Sequence, residues 1–548
     1  MDHFRAGRRP YRAAVTVTTV VVAQLLAAGI CLLGLWAGLP LWAAGPPALV
    51  VGAAMFVRIG GRPPVAWMLA AWRFALDRRP GIGEGTDFRA PGETVGLRWI
   101  DGQVLAVVEL LPAPRGGWSR VDRDTCASPD RVPLAALARC LEQNDVTLSG
   151  IDVVSHGSRS VAGTAAADVY DALVGPLPAA ARRTVWVVLR FDPSTNGASV
   201  ARRGGGTDGA SRTVAVAARR VVRTLADGGC RARILSAAEI ESACARICRG
   251  VHPDTMRRQW DHVPLAGAFD VGNAVDPRHL SRALLTGLWS VPGLATTTAV
   301  RLRPGRAADE VRVGVSFRRT TPAAAPRLKV RGLISAQGTH RESLLAHLPA
   351  SSPHLDDLVP FGDITADRLD TFGLVAVGCG QLIGSDGDGK AVTARIAGPG
   401  VTEVHIAGEH YLARQVVFRA VATGSRVLVL TDRPHAWAEL VDAVRAPMRL
   451  RLGAGSSWTE TGFDTVVVDG VPVPPSRAGV TTVHVHREPG TLPRTTPTVS
   501  IVQPGACGDH VVLAAGGERI DLTLVTIAAE TAFVGRPVGA APRPVAAR

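Results

Sequence analysis

Lysine is nearly absent from this chain. Of 61 basic residues all but Lys329 and Lys390 are arginine, against 47 acidic ones, for a formal charge of +14 over 548 residues. With abundant alanine and glycine this reads as the product of a GC-rich genome, a codon effect more than a ligand signal. Aromatics are also scarce, at 5%, so the cores must be built mainly from Val, Leu and Ala. A nucleic-acid-binding face wants basic residues clustered with aromatics; here arginine is scattered, which argues against that class. The eight cysteines form no C-x-x-C pair. They read as buried free thiols and place the bulk of the chain in a reducing compartment.

Charge is missing altogether from residues 13–57, a run of 45 positions. One membrane span needs about 20 residues, so the run suits two, about 13–36 and 39–57, broken at Gly38-Leu39-Pro40. Pro46 and Pro47 fall near the start of the second, where proline is tolerated. Trp36 and Trp42 bracket the turn, as an interfacial aromatic belt would. A cleaved signal peptide is too short a pattern for this run. Arginine flanks both ends (Arg5, Arg8, Arg9 and Arg12; then Arg58, Arg62, Arg73, Arg78 and Arg79) while the turn has none. The positive-inside rule therefore puts both ends in the cytoplasm, on an anionic leaflet. The expected protein is a multi-pass plasma-membrane (inner-membrane) one, with a two-helix anchor and a cytoplasmic body.

Next comes RIGGRPPVAWMLAAWRF, residues 58–74. Pro63-Pro64 cannot continue a regular span but suits the first turn of a new helix. Val65, Met68, Leu69, Trp72 and Leu76 then share one helical face, and Arg73 with Asp77–Arg79 keeps the segment from spanning. The reading is an amphipathic juxtamembrane helix over 61–80 lying on the membrane surface. Trp67 and Phe74 fall on its other side, available to protein. Arg58, Arg62, Arg73, Trp36, Trp42, Trp67, Trp72 and Phe74 are accordingly the candidate membrane-interface and partner-contact residues.

The body reads as α/β, or α+β, in three parts. Residues 94–250 follow a Gly-rich linker at 78–93 and open with a hairpin turning at Asp101-Gly102. They continue as helix 132–144, strand 151–157, a helix in GTAAADVYDALVG, strand 184–191, and a Gly-rich loop opening a long helix. Residues 251–370 carry a second hairpin around Pro304-Gly305. Residues 371–535 add a third, turning at SDGDG, and then a strand–helix–strand–helix–strand run from 401 to 470 that reads as a doubly wound unit. The last residues, 536–548, look disordered.

The motifs that could carry chemistry each lack something. GGGTDGAS (204–211) has Ala210 where a phosphate-binding loop needs lysine. Asp469, at the end of VVVDG, resembles a magnesium-holding aspartate but lies in another part of the chain. Asp386 and Asp388 have the spacing of a glycosyltransferase metal site, yet Asp-Gly pairs are what a hairpin turn needs. Cys244, Cys248 and His252 make a weak metal set. His156, His405 and His410 have no nucleophile nearby and no G-x-S-x-G elbow. No catalytic, cofactor-binding or metal-binding residue is assigned, and no small-molecule substrate is expected. The rival reading is a membrane-anchored nucleotide or nucleotide-sugar enzyme built on Asp386 and Asp388 or the 204–211 loop.

Taken in order, the two spans, the PPVAW segment, VGLRWIDGQVLAVVEL, GIDVVSHGSR, ARRGGGTDGASRT and the stretch GCGQLIGSDGDGKAVTARIAG through VLTDRPHAW resemble the EccE family. This is a membrane component of actinobacterial type VII (ESX) secretion systems. The resemblance is collinear from about residue 13 to 470. It implies a non-enzymatic subunit of an inner-membrane assembly, beside EccB, EccC and EccD. It also implies a glycosyltransferase-like body without the catalytic set, and it brings no catalytic residues with it.

Overall fold

In the computed structural model, the residues described are 17–57, 62–76, 83–114, 116–307, 309–323, 328, 330–453, 461–488, 490, 497–505 and 507–536. The arginines at 5–12, Arg58, Arg78, Arg79 and the tail from 537 lie outside them. Three helices come first: α1 (Val17–Trp36), α2 (Leu41–Ala54) and α3 (Pro64–Leu76). At 20 residues α1 is about 30 Å long, enough to cross a hydrocarbon core. The second helix has only 14 residues, about 21 Å at the same rise, so α1 alone among the described residues is long and apolar enough to span. The expected second span, 39–57, is thus shortened: the helix yields to a turn at Met55 and Phe56.

Small residues set the α1–α2 packing. A Cβ on Gly34 would meet the Ala44 Cβ at 2.8 Å, and one on Gly52 would meet Ala27 at 3.5 Å. This is how helices approach closely where there is no hydrophobic drive between them. Leu25, Leu32, Leu33 and Leu49, by contrast, stand well exposed, as side chains meant for an apolar surrounding do.

Two large sheets make the body. The first runs, edge to edge, Glu84–Ala90, Glu93–Ile100, Gln103–Leu111, Arg182–Phe191, Gly150–Ser158, Ala295–Pro304, Glu310–Thr321, Ala268–Val275 and Val263–Leu265. Every neighbouring pair along it is antiparallel. The first hairpin turns where expected, with Asp101 at φ 49° and Gly102 at φ 76°, the two left-handed residues that a tight hairpin turn demands. Three expectations change. Much of the linker at 78–93 is strand, paired from Glu84 to Ala90. Helix 132–144 shrinks to Leu134–Arg139, followed by a small hairpin of Glu142–Gln143 with Val146–Thr147. The division at 250/251 falls inside one sheet, because Gly150–Ser158 pairs with Ala295–Pro304.

The reason the first unit is not a parallel βαβ lies in the helix Ala165–Val174. Its Ala166, Tyr170 and Val174 enter the core of the second sheet, and the Tyr170 hydroxyl accepts from the Leu382 amide at 2.9 Å. A helix that leaves to pack elsewhere does not carry the chain back over its own sheet, so strand Arg182–Phe191 returns antiparallel. Trp118–Val121 and Cys126–Ala127 likewise join the second sheet, crossing the division at 370/371.

The second sheet is mixed. Six strands run parallel, in the order Leu450–Leu452, Val427–Thr431, Thr465–Asp469, Thr481–His486, Glu403–Ala407, Val499–Val502. Antiparallel strands continue it on one side. Helices His410–Ala422 and Pro434–Val444 share one core with Val404, Ile406, Val427 and Val429, so both lie on the same face. The opposite face holds a small separate cluster, Leu428, Leu430, Val466 and Val468, with Phe463, Val471 and Val480 against it. That differs from a doubly wound unit, whose helices cover both faces.

Candidate functional site

The third helix is where anchor and body meet. Pro64 opens it, as a proline without an amide hydrogen can. Met68, Leu69 and Trp72 face outward and are exposed, while Val65 and Ala70 are buried. Val65, expected on the outward face, is therefore turned inward. Trp67 and Phe74 face the body and both meet Trp260. The Trp67 ring stacks at 6.4 Å between centroids and the Phe74 ring stands edge-on at 5.4 Å.

Arginines frame this aromatic trio. Arg62 donates to the Gln337 carbonyl at 3.1 Å and lies 5.7 Å from the Trp67 ring centroid. Arg258 donates to the Phe74 carbonyl at 3.1 Å, lies 5.0 Å from its ring and pairs with Glu342 at 3.0 Å. Cation–π contacts of this kind are worth about 0.5–2 kcal/mol each. Burial pulls the Arg62 guanidinium below its usual value. Gly338 makes the room: at φ 73° a Cβ there would strike the Trp260 ring at 2.7 Å. Arg58 lies outside the described residues, as does the side chain of Arg73; Trp36 and Trp42 are strongly exposed at the α1–α2 turn.

The motifs with possible chemistry are occupied by structural work. Gly204, Gly205 and Gly206 all take positive φ to start the helix Gly206–Asp227. Ala210, in the lysine position, points into the core at 1% exposure. A Cβ on Gly209 would meet the Val200 carbonyl at 2.4 Å, so that glycine serves helix packing. Asp386 caps its own turn, accepting from the amides of Asp388 and Lys390 at 3.1 and 3.0 Å, and pairs with Arg120 at 2.9 Å. Asp469 accepts from Arg433, Trp437 and Thr431. Burial alone would raise its pKa, and these donors outweigh that and hold it below the ordinary carboxylate range.

Burial pushes the Cys244 and Cys248 thiols up to about 12 and about 11, which makes them inert, and His252 is exposed on the following loop. His156 bonds Thr297 at 2.9 Å and is pushed down to about 3 by burial and then by Arg318 and Arg246. His410 stands edge-on to Trp437 at 4.8 Å and is pushed down to about 4, again chiefly by burial. His405 alone of the three sits among other histidines, His484 and His486. Sequence reasoning missed that group, because its halves are some eighty positions apart.

The fold is that of an α/β protein with one helix long and apolar enough to cross a membrane among the described residues, and with its third helix held to the body by an aromatic joint. The family model described as "Putative type VII ESX secretion system translocon, EccE" matches residues 179–274, a stretch that contains Arg258 and Trp260. Among curated relatives, the ESX-1 secretion system protein EccE1 of Mycolicibacterium smegmatis is 28% identical over 353 residues, 62% of this chain and 69% of that one. The ESX-5 protein EccE5 of Mycobacterium marinum is 27% identical over 303 residues, 52% of this chain and 73% of the relative. The ESX-2 protein EccE2 of Mycobacterium tuberculosis is 26% identical over 398 residues, 72% and 71%. Over these stretches the chain is similar to members of the EccE family.

Proposed function

We infer that this chain is a structural subunit of a type VII secretion machinery, holding a cytoplasmic body at the membrane and stabilising the inner-membrane complex without chemistry of its own. The observation that carries this reading is the joint: in a chain similar to members of the EccE family, α3 presents apolar residues outward and fixes the body through Trp67, Phe74 and Trp260. A rigid link of this kind suits a part that positions others. The capping and ion-pair roles of Asp386, Asp469 and the glycine loop support it over a nucleotide-sugar enzyme.

The finer proposals follow from this. Helices α1 and α2 form a membrane hairpin, with the shorter α2 completed by its flanking residues or by local thinning of the bilayer. Both ends of the hairpin face the cytoplasm. Trp36, Trp42, Met68 and Trp72 sit at the lipid interface, while Arg62 turns to the body. The partners are the other membrane components, EccB, EccC and EccD, of which another chain supplies the ATPase. Affinity isolation of the intact chain from detergent-solubilised membranes tests the reading. A large assembly carrying other secretion components is the expected result; recovery only as a free monomer would refute it. Saturable binding of ATP or a UDP-sugar with Mg²⁺, abolished by Asp386→Asn with Asp388→Asn, would favour the enzyme instead.

A further inference from the structure

The parallel strands Glu403–Ala407 and Thr481–His486 lie side by side, with Glu403 opposite Thr482, His405 opposite His484 and Ala407 opposite His486. Side chains two apart on a strand share a face. Glu403 and His405 therefore rise from one strand, and His484 and His486 from the next, on the same side of the sheet. Val404 and Val483 point the other way, into the helix-covered core. The result is a patch with three imidazoles and one carboxylate on the face that, among the described residues, no helix of this unit covers.

The spacing is close. His405 Nε2 and His484 Nε2 lie 2.9 and 3.3 Å from the same Glu403 oxygen, and the three ligand atoms all fall within 4.8 Å of one another. His405 Nδ1 lies 2.9 Å from His486 Nε2. The rings stack, His405 on His484 at 4.5 Å and on His486 at 5.0 Å. His405 is buried at 3% exposure, whereas the Glu403 side chain is 44% exposed, so solvent reaches the patch from one side.

We propose that Glu403, His405 and His484 form a binding site for a divalent transition metal of the zinc type, with His486 as the outer partner that orients His405. Zinc bonds of about 2.0–2.1 Å in a tetrahedron set its ligands roughly 3.3–3.4 Å apart, and the two carboxylate–imidazole distances already stand near that value. Coordination requires the stacked imidazoles to turn about their Cβ–Cγ bonds toward a common point. Two nitrogens and one carboxylate oxygen favour zinc, nickel or cobalt over magnesium or calcium. Bound through Nε2, His405 carries its proton on Nδ1 and donates it to His486, the outer-shell arrangement that fixes tautomer and ring angle. The fourth position opens toward solvent beside Glu403. An ion there ties two strands together on the face that lacks a helix, and so adds its binding free energy to the stability of the second sheet.

The full chain in detergent, stripped with chelator and dialysed against ZnCl₂, tests this. One zinc per chain is expected, with a raised melting temperature. Glu403→Gln combined with His484→Ala should weaken retention by at least about 100-fold, and His486→Ala by about 10–100-fold. Glu403→Gln alone guards against misfolding: it should melt like the parent without metal and lose the zinc-induced rise. CoCl₂ should give the intense visible bands of a four-coordinate site in the parent and not in the double variant. Absence of zinc above the blank, zinc retained equally by the double variant, or an equal melting rise with MgCl₂ would each overturn the proposal.

Discussion

In the first sheet both faces are covered; in the parallel part of the second, helices cover only one. The helix Gly206–Asp227 packs on one face of the first sheet through Val214, Ala218 and Val221, and Ala237–Ile247 with the segment around Leu344 and Leu348 packs on the other. Between such layers a buried charge needs partners, and Asp152 has them. Asp152, 2% exposed, accepts from Arg190 at 2.7 Å and from Arg303 at 2.6 Å. Arg303 goes on to Asp356 at 2.8 Å and Arg190 to the Ser351 hydroxyl at 2.6 Å, so the seam stitches the segment around 351–356 to the strands. Forked guanidinium groups suit this task where lysine does not, which gives part of the arginine excess a structural purpose. Burial alone would raise the Asp152 pKa; Arg190, Arg303 and Arg301 overcome it and drive the carboxyl far below its usual range. The face left open on the second sheet carries histidines within reach of solvent instead. The joint lands where cover is complete: Trp260, Gln337 and Gly338 all belong to segments beside strands of the first sheet.

The contrast can be broken by substitution. Asp152→Asn leaves buried arginines unbalanced and should cost about 3–5 kcal/mol in urea unfolding of the detergent-solubilised chain. Leu428→Ala on the half-covered face should cost less, about 2 kcal/mol; equal or reversed losses would mean that the difference in cover carries no energy. Acid sharpens the same point. His156, on a strand of the first sheet, and His347, packed against that sheet at Ser316, are pushed down to about 3 by burial first and then by nearby arginines. Below the ordinary histidine pKa of about 6.5 the unfolded chain takes up protons that these two refuse. Stability present at neutral pH is therefore lost progressively between about 6.5 and 3, with a slope near 1.4 kcal/mol per pH unit for each. His156→Phe should flatten the melting profile between pH 6.5 and 5, and an unchanged profile would show that His156 is not a buried neutral group.

The joint gives smaller effects. Gly338→Ala forces a strained backbone against Trp260 and should cost about 1–3 kcal/mol, read as faster proteolysis around residues 62–76. Trp67→Ala with Phe74→Ala removes two aromatic contacts of about 0.5–1.5 kcal/mol each beyond buried area. That pair should loosen complex recovery while leaving membrane insertion intact; unchanged recovery would make α3 an ordinary first helix.

Local features were the legible ones. The Asp101-Gly102 turn, the strand at 184–191, the helix opened by Gly204–Gly206 and the apolar run at 13–57 each announce themselves within a dozen or so residues through period, charge or turn chemistry. What local pattern cannot carry is pairing between distant segments. GTAAADVYDALVG reads as a helix, but nothing in it says that Tyr170 will pack against a sheet whose strands come two hundred positions later. The E-x-H at 403–405 and the H-x-H at 484–486 are visible as alternations, yet only the parallel register of their strands turns them into one patch. The span over 39–57 is longer than its helix for a third reason. Hydropathy measured its length, while the helix itself ends at Ala54.

Deleting this chain in the cell that makes it, then sizing the remaining secretion complex by native electrophoresis and measuring export, tests the structural role most directly. A smaller or less abundant complex with reduced export, restored by the intact chain and also by the Asp386→Asn, Asp388→Asn variant, is the predicted result. A complex of unchanged size and yield with undiminished export would contradict it.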